Sequence, residues 1–392
     1  MNNLININLT KNSRHILSAF MFATLLAPYN IINKIIFSII ILLMLKNAYE
    51  GRMKKSEIIW SPFVIISIFI YGFLYSIPFN NDAGLAKQYL LSTLNLLMIF
   101  FINHYKINMS DLSEFFGKVI VLVSAVYFFS NIFFADIGYV KTALKIFESL
   151  NSSVSSQRDF ISDENIVKFG AISTVSFVYV AWCLTCIRIS SAFTMKDLAW
   201  LILYGLTIVI SGRRGLALIS LIFAFSFFYL RSNGLIKFSL LAFFSSITYL
   251  VLSWALSETL LFSVSETSNF TKIGHLFSYL EQLSISKFIF GEGLGAYYYS
   301  HGVGRELSIT ELTFIDLSRF LGVPLTIISI IYLVFPKFYV KAFSGNRKYY
   351  LISFILYLAL SMTNPVLIQS YGMLVILWYW ASFMARNDQP NK

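Results

Sequence analysis

The chain carries two adjacent arginines, Arg213 and Arg214, in Ser211-Gly212-Arg213-Arg214-Gly215, with an apolar run on each side and almost no loop between. A guanidinium is a planar fork that grips phosphate oxygens bidentately, so this pair points to an anion held at a membrane face. Read as one helix, residues 198–230 would reach about 50 Å, well beyond the roughly 30 Å of a hydrocarbon core. The stretch therefore predicts a tight helical hairpin. Both arginines lie at its turn, where the first amides of the second helix add partial positive charge. The plainer alternative is a pair of interfacial anchors snorkelling to headgroups. The adjacency, the flanking Gly212 and Gly215 and a position outside the cytoplasm favour the anion site.

A second group of charges follows: Arg305 and Arg319, interleaved with Glu306, Glu311 and Asp316. Such charges either pair with one another at an interface or reach for a ligand. Glu311 and His301 are the nearby groups suited to accept a proton from a sugar hydroxyl. Lys272, on a neighbouring helix, is a further phosphate candidate, and Arg158, in a Ser-rich stretch, is a weaker one that would ordinarily be solvated. Tyr297, Tyr298 and Tyr299 offer rings for stacking on sugar faces, although tyrosine is also common at membrane interfaces. Gly291, Gly293 and Gly295 do not open a helix after a strand and read as a flexible turn, not a dinucleotide fingerprint. A Walker-type glycine loop is absent, which leaves ATP-driven transport unsupported. The four histidines show no metal-ligand spacing, and Cys183 and Cys186 read as packing residues inside an apolar block. Neither a metal nor a cofactor is expected.

What must position these residues is a membrane bundle. With 57% hydrophobic residues, 12% charged residues and a mean hydropathy of +0.71, the chain is too apolar for a soluble globular protein. The expected fold class is all-α, a single integral membrane domain over residues 1–392. Its spans are placed at about 16–31, 33–46, 58–77, 88–103, 116–135, 168–187, 198–211, 215–230, 237–257, 313–335, 349–363 and 366–384. The net charge of +11 sits in short clusters between apolar blocks, the pattern of topology determinants and not of nucleic-acid binding. The densest are Lys46 to Lys55 and Lys337 to Lys348, which predicts that these turns and both termini are cytoplasmic. The first block lacks a small-residue cleavage site and is expected to stay as an anchor. Two long outer loops result, at about 136–167 and 258–312. The first places Lys141, Lys145 and Glu148 at helical spacing. In the second, Phe270, Ile273, Phe277, Leu280 and Leu283 predict an amphipathic helix lying on the membrane, with Lys272, His275 and Gln282 facing elsewhere.

The order of these features, Ser-Gly-Arg-Arg-Gly heading a helix, a long outer loop with Gly-x-Gly-x-Gly, Glu311, then Arg319-Phe-Leu-Gly322, resembles the Wzy-type O-antigen polymerases. The resemblance covers about 200–335 by motif and the remainder by hydropathy. It implies a C-type glycosyltransferase of the bacterial inner membrane, about twelve helices with periplasmic catalytic loops. Its implied reaction moves a growing glycan from undecaprenyl diphosphate onto another undecaprenyl-diphosphate-linked oligosaccharide, beside a flippase and a chain-length regulator. Arg158 to Gly170 and Arg305 to Gly322 match the family's arginine-to-glycine elements with different spacing. Many superfamily members carry an arginine on the helix before the glycine-rich turn, where this chain has Lys272 and His275. On this reading Arg213, Arg214 and Arg305 hold diphosphates, and Glu311 or His301 activates the acceptor hydroxyl. An O-antigen ligase, using lipid A-core as acceptor, is the nearest alternative; a flippase or secondary transporter is the alternative from another class. Glu311, where a ligase typically has its histidine, and the length of the outer loop favour the polymerase.

Overall fold

The computed structural model describes residues 2–27, 31–53, 59–134, 137–151, 173–211, 213–239, parts of 241–249, 267–310, 312–337 and 345–384. It is a helical bundle with a folded cap at one end. Four helices, Ile31–Tyr49, Ser61–Phe79, Ala83–His104 and Met109–Ser130, are long and apolar enough to cross a membrane, and shorter apolar helices pack beside them. Their starts follow local chemistry. Asp82, Asn108 and Thr194 each accept an orphan backbone N–H at a helix start, and Pro62 opens Ser61–Ser76 where no donor is needed.

The innermost helix is Ser370–Met384, which is apolar all round and buried along nearly its whole length, Trp378, Tyr379 and Trp380 included. Two of its polar tips are matched: the Tyr379 hydroxyl donates to the Val334 carbonyl at 2.6 Å and the Trp380 indole to Leu333 at 2.8 Å, while the buried Trp378 indole N–H has no partner among the described residues.

Turns gather at two ends. At one, Asn47 meets Tyr105, Ser61 donates to Pro336, and Arg188 pairs with Glu114 and Asp197. Lys46, Arg231 and Arg347 end or begin helices at this same basic end. At the other, the loops after Ser76, Ile210 and Ser361 lie beneath the cap.

Two departures from the sequence reading matter. The expected span at 313–335 is broken at Gly322 into Thr313–Leu321 and Val323–Val334. Gly322 has φ 80° and Pro324 cannot continue the ladder, so the first piece, which carries Asp316 and Arg319, belongs to the cap. The second piece has 12 residues, about 18 Å, short of a bilayer on its own. The cap also holds a two-stranded antiparallel hairpin, Tyr298–Ser300 with Arg305–Leu307, inside an otherwise helical chain. The tyrosine run supplies strand propensity and Gly304, at φ 69°, closes the turn. Finally, the outer segment after residue 136 forms the helix Gly138–Asn151, in keeping with the spacing of Lys141, Lys145 and Glu148, while 152–172 lie outside the described residues.

Candidate functional site

The cap is anchored by the Gly291–Gly295 strap, which is the reverse of a flexible turn. Its backbone is bonded at nearly every residue: Glu292 N–H to Arg319, Gly293 to Phe320, Leu294 to Gly72, and Gly295 accepts from Asp82, all at 2.8–3.0 Å. At Gly293 and Gly295 φ is 84° and 72°, and a Cβ would lie 2.7 Å from the Ser76 backbone and 2.5 Å from the Asp82 carbonyl. Only glycine allows both the turn and the contact.

On this strap sits the helix Thr267–Gln282, and its orientation follows its amphipathicity. Phe270, Ile273, Leu276, Phe277 and Leu280 are exposed, turned away from the protein. The polar face packs inward. His275 is 2% exposed, its Nδ1 lying 2.7 Å from Ser300 Oγ and 3.0 Å from the Tyr298 hydroxyl, while Gln282 donates to the Tyr299 carbonyl. His275 is therefore a junction inside the cap, not a phosphate contact on its surface. Lys272 is half-buried on the same helix.

Arg319 is the most enclosed cation of the cap. It is 3% exposed; its Nη2 donates to the Ser308 carbonyl at 2.6 Å and to Asp316 Oδ1 at 3.3 Å, and its guanidinium stacks over the Tyr298 ring at 4.0 Å. Nε and Nη1 are buried with no hydrogen-bond partner. Burial pushes the Asp316 carboxyl up to about 6 despite the neighbouring Arg319 charge, and burial lowers Arg319 below its ordinary value. Arg319 lines a narrow cleft together with Tyr279, Gln282, Lys287, Glu292 and Tyr298.

The three tyrosines are not equivalent. Strand alternation exposes Tyr297 and Tyr299 at 50% and 44% but buries Tyr298 to 4%. Tyr298 is thus removed as a sugar platform: Arg319 covers its ring and His275 holds its hydroxyl, which burial raises to about 12. Tyr299 meets His301 edge-on at 5.4 Å between ring centroids. His301 projects from the hairpin turn, exposed, with Nε2 2.8 Å from Glu281 Oε2, a partner that sequence spacing did not single out. A carboxylate that orients an imidazole in this way is how general bases are positioned. Arg305 is exposed at the start of the second strand, opposite Ser300. Glu311 and Arg158 lie outside the described residues.

The Arg213 turn lies at the same end of the bundle. Ile210 ends one helix, the Arg213 N–H donates to Ser211 Oγ at 3.4 Å, and Arg214 opens the helix Arg214–Arg231 with no side-chain cap. Arg213 is half-buried; the Arg214 side chain lies outside the described residues. Gly215 permits close approach to the next turn, since a Cβ there would lie 2.8 Å from Leu360 and 3.6 Å from Asn364. The Asn364 carbonyl in turn accepts from Thr313 Oγ1 at 3.2 Å, at the start of the helix that bears Arg319. An apolar groove of about 220 Å³ runs between Met109–Phe133 and Met195–Ile210. It is lined by Phe128, Phe129 and Leu206 and ends at Ser211, next to Arg213. At that volume it is smaller than most small-molecule sites, roughly 300–1,000 Å³, and is a slot for part of a chain molecule.

Among the described residues no group of three His, Cys, Asp or Glu side chains is placed to hold a metal ion. No protein-family model, curated protein or solved structure matches this chain.

Proposed function

We propose that this chain is a metal-independent glycosyltransferase that polymerises undecaprenyl-diphosphate-linked repeat units of O-antigen or a related surface polysaccharide. It would lie in a bacterial inner membrane, with about twelve spans, both termini cytoplasmic and the cap periplasmic. One observation carries the reading. The Arg213 turn is joined through Asn364 and Thr313 to the cap that presents His301 and Arg305 and encloses Arg319, at the end opposite the basic turns. Cations and a positioned imidazole therefore face one side, as a reaction on a lipid-linked anion requires. The apolar groove ending at Ser211 is where the hydrocarbon part of such a substrate would lie.

In the proposed reaction a hydroxyl oxygen of the acceptor glycan attacks the anomeric carbon of the donor. The bond from that carbon to the diphosphate oxygen breaks, and the hydroxyl proton passes to His301 or Glu311. Arg213, Arg214 and Arg305 neutralise the charge that grows on the leaving diphosphate. Each preorganised contact of this kind contributes about 3–4 kcal/mol to the transition state, several hundred-fold in rate. Tyr297 and Tyr299 are the exposed rings available to sugar faces. A flippase and a chain-length regulator are the partners such an enzyme works with.

The His301–Glu281 pair supports a second reading, the O-antigen ligase, since it supplies an oriented imidazole ten residues before Glu311, the position at which a ligase typically has its histidine. A deletion strain separates the two on a lipopolysaccharide gel. Collapse of the ladder to core plus one repeat unit is the polymerase outcome; loss of all O-antigen is the ligase outcome. Arg214→Ala, still inserted in the membrane, is expected to reproduce the deletion, and a wild-type ladder from it would reduce Arg214 to a lipid anchor.

A further inference from the structure

Burying a guanidinium without partners on two of its nitrogens is costly, and native proteins rarely leave such charged donors unmatched unless water, an ion or a ligand supplies the acceptor. Arg319 is in that position: its Nη2 is used by Ser308 and Asp316, while Nε and Nη1 are buried and unmatched beside the cleft. The guanidinium cannot turn away, because the Tyr298 ring covers it at 4.0 Å and Phe320 lies at 4.9 Å. Across the cleft, Lys287 Nζ holds Glu292 Oε1 at 2.7 Å, and both side chains are partly exposed. Glu292 is itself fastened by its backbone, its N–H on the Arg319 carbonyl and its carbonyl on Asn81 Nδ2, so only its side chain is free to swing.

We propose that this cleft is a gated site for a single oxyanion, phosphate or carboxylate, distinct from the Arg213 turn. Arg319 is the fixed anchor, Lys287 the rim cation, and the Glu292 carboxylate an internal competitor that holds Lys287 until an external oxyanion displaces it. Two sources share this chemistry, the phosphate of a lipid-linked substrate and the carboxylate of an acidic sugar. The site stands whether or not the proposed polymerisation is the reaction, since it rests on the cap alone.

The test is calorimetric titration of the purified full-length protein in detergent with inorganic phosphate and, separately, with glucuronate. Saturable binding that the rim variants alter supports the site, since binding at the Arg213 turn would not respond to them: phosphate alone assigns it to the lipid-linked group, glucuronate to the glycan. Lys287→Gln is expected to weaken that binding about tenfold and Glu292→Gln to strengthen it by a similar factor, since the competitor loses its charge. Arg319→Met should abolish it; if that variant does not fold, the two rim variants decide. Absence of saturable binding of both anions, or affinities unchanged in both rim variants, overturns the proposal.

Discussion

Arg188 and Arg319 stand at opposite ends of one bundle, and the less buried of them has the fuller set of partners. Arg188, with a side chain 38% exposed, places both Nη atoms on Glu114 and Nε on Asp197, while Lys118 adds a further bond to Glu114. Every carboxylate there has a cation and every guanidinium nitrogen an acceptor. Arg319, with a side chain 2% exposed, has one carboxylate, at 3.3 Å, and two unmatched nitrogens. Desolvation penalises an unpaired charge most where water is absent, so a structural role would demand the opposite distribution. Closed pairing marks the basic end as a fastening between helices; open pairing marks the cap as a place where something binds.

Three variants test that contrast, taken from the largest effect down. Arg319→Leu removes the guanidinium bonded to Asp316 and is expected to cost about 3–5 kcal/mol of stability, the usual loss on breaking a buried pair. Thermal unfolding in detergent measures it, and adding Asp316→Leu should restore most of the loss. A single variant as stable as wild type would break the comparison, because Arg319 would then be dispensable to the cap.

The pH response sharpens it. Asp316 is pushed up to about 6 from the ordinary 3.8, so the folded cap favours its protonated form. The resulting stability is fully present below about pH 4 and lost as pH rises through about 6, on the order of 3 kcal/mol. The charges that face Asp316 are Arg319 and, further off, those of Glu292 and the Tyr298 and Tyr89 hydroxyls around Arg319. Unfolding profiles between pH 4 and 7 should therefore show stability falling with pH in wild type and a flat response in Asp316→Asn. Equal slopes in the two proteins would refute the assignment.

Arg188→Ala gives the smallest change. The Arg188 side chain is more than a third exposed and screened, and Lys118 still faces Glu114, so about 1 kcal/mol is expected, with anion binding at the cap as in wild type. Loss of phosphate affinity in Arg188→Ala would mean that the two ends are coupled and the comparison is misplaced.

Part of this architecture is legible without coordinates. The hairpin at Ser211–Arg214 follows from an apolar run too long for one span, and the exposed apolar face of Thr267–Gln282 follows from the spacing of Phe270, Ile273, Phe277 and Leu280. The cap is less legible, because its decisive contacts join residues far apart in the chain. Gly293 and Gly295 look like a flexible turn until Ser76 and Asp82 are found against them. The break at Gly322 hides inside an apolar run whose hydropathy alone reads as one span. Tyr298 and Tyr299 are identical in composition and adjacent in sequence, yet one is sealed under Arg319 and the other is exposed.

Composition and periodicity alone determined that this chain is an apolar helical bundle with helices long enough to cross a membrane, and that arginines sit at a turn beside apolar runs. Those properties are local, set by hydrocarbon thickness, helix pitch and caps within a few residues. Tertiary structure alone decided that His301 is held by Glu281, that His275 is a buried junction, and that Arg319 lies enclosed with two nitrogens unmatched. Pairing and burial depend on which distant side chains arrive at the same place, and the packing of the cap against the bundle is what brings them there.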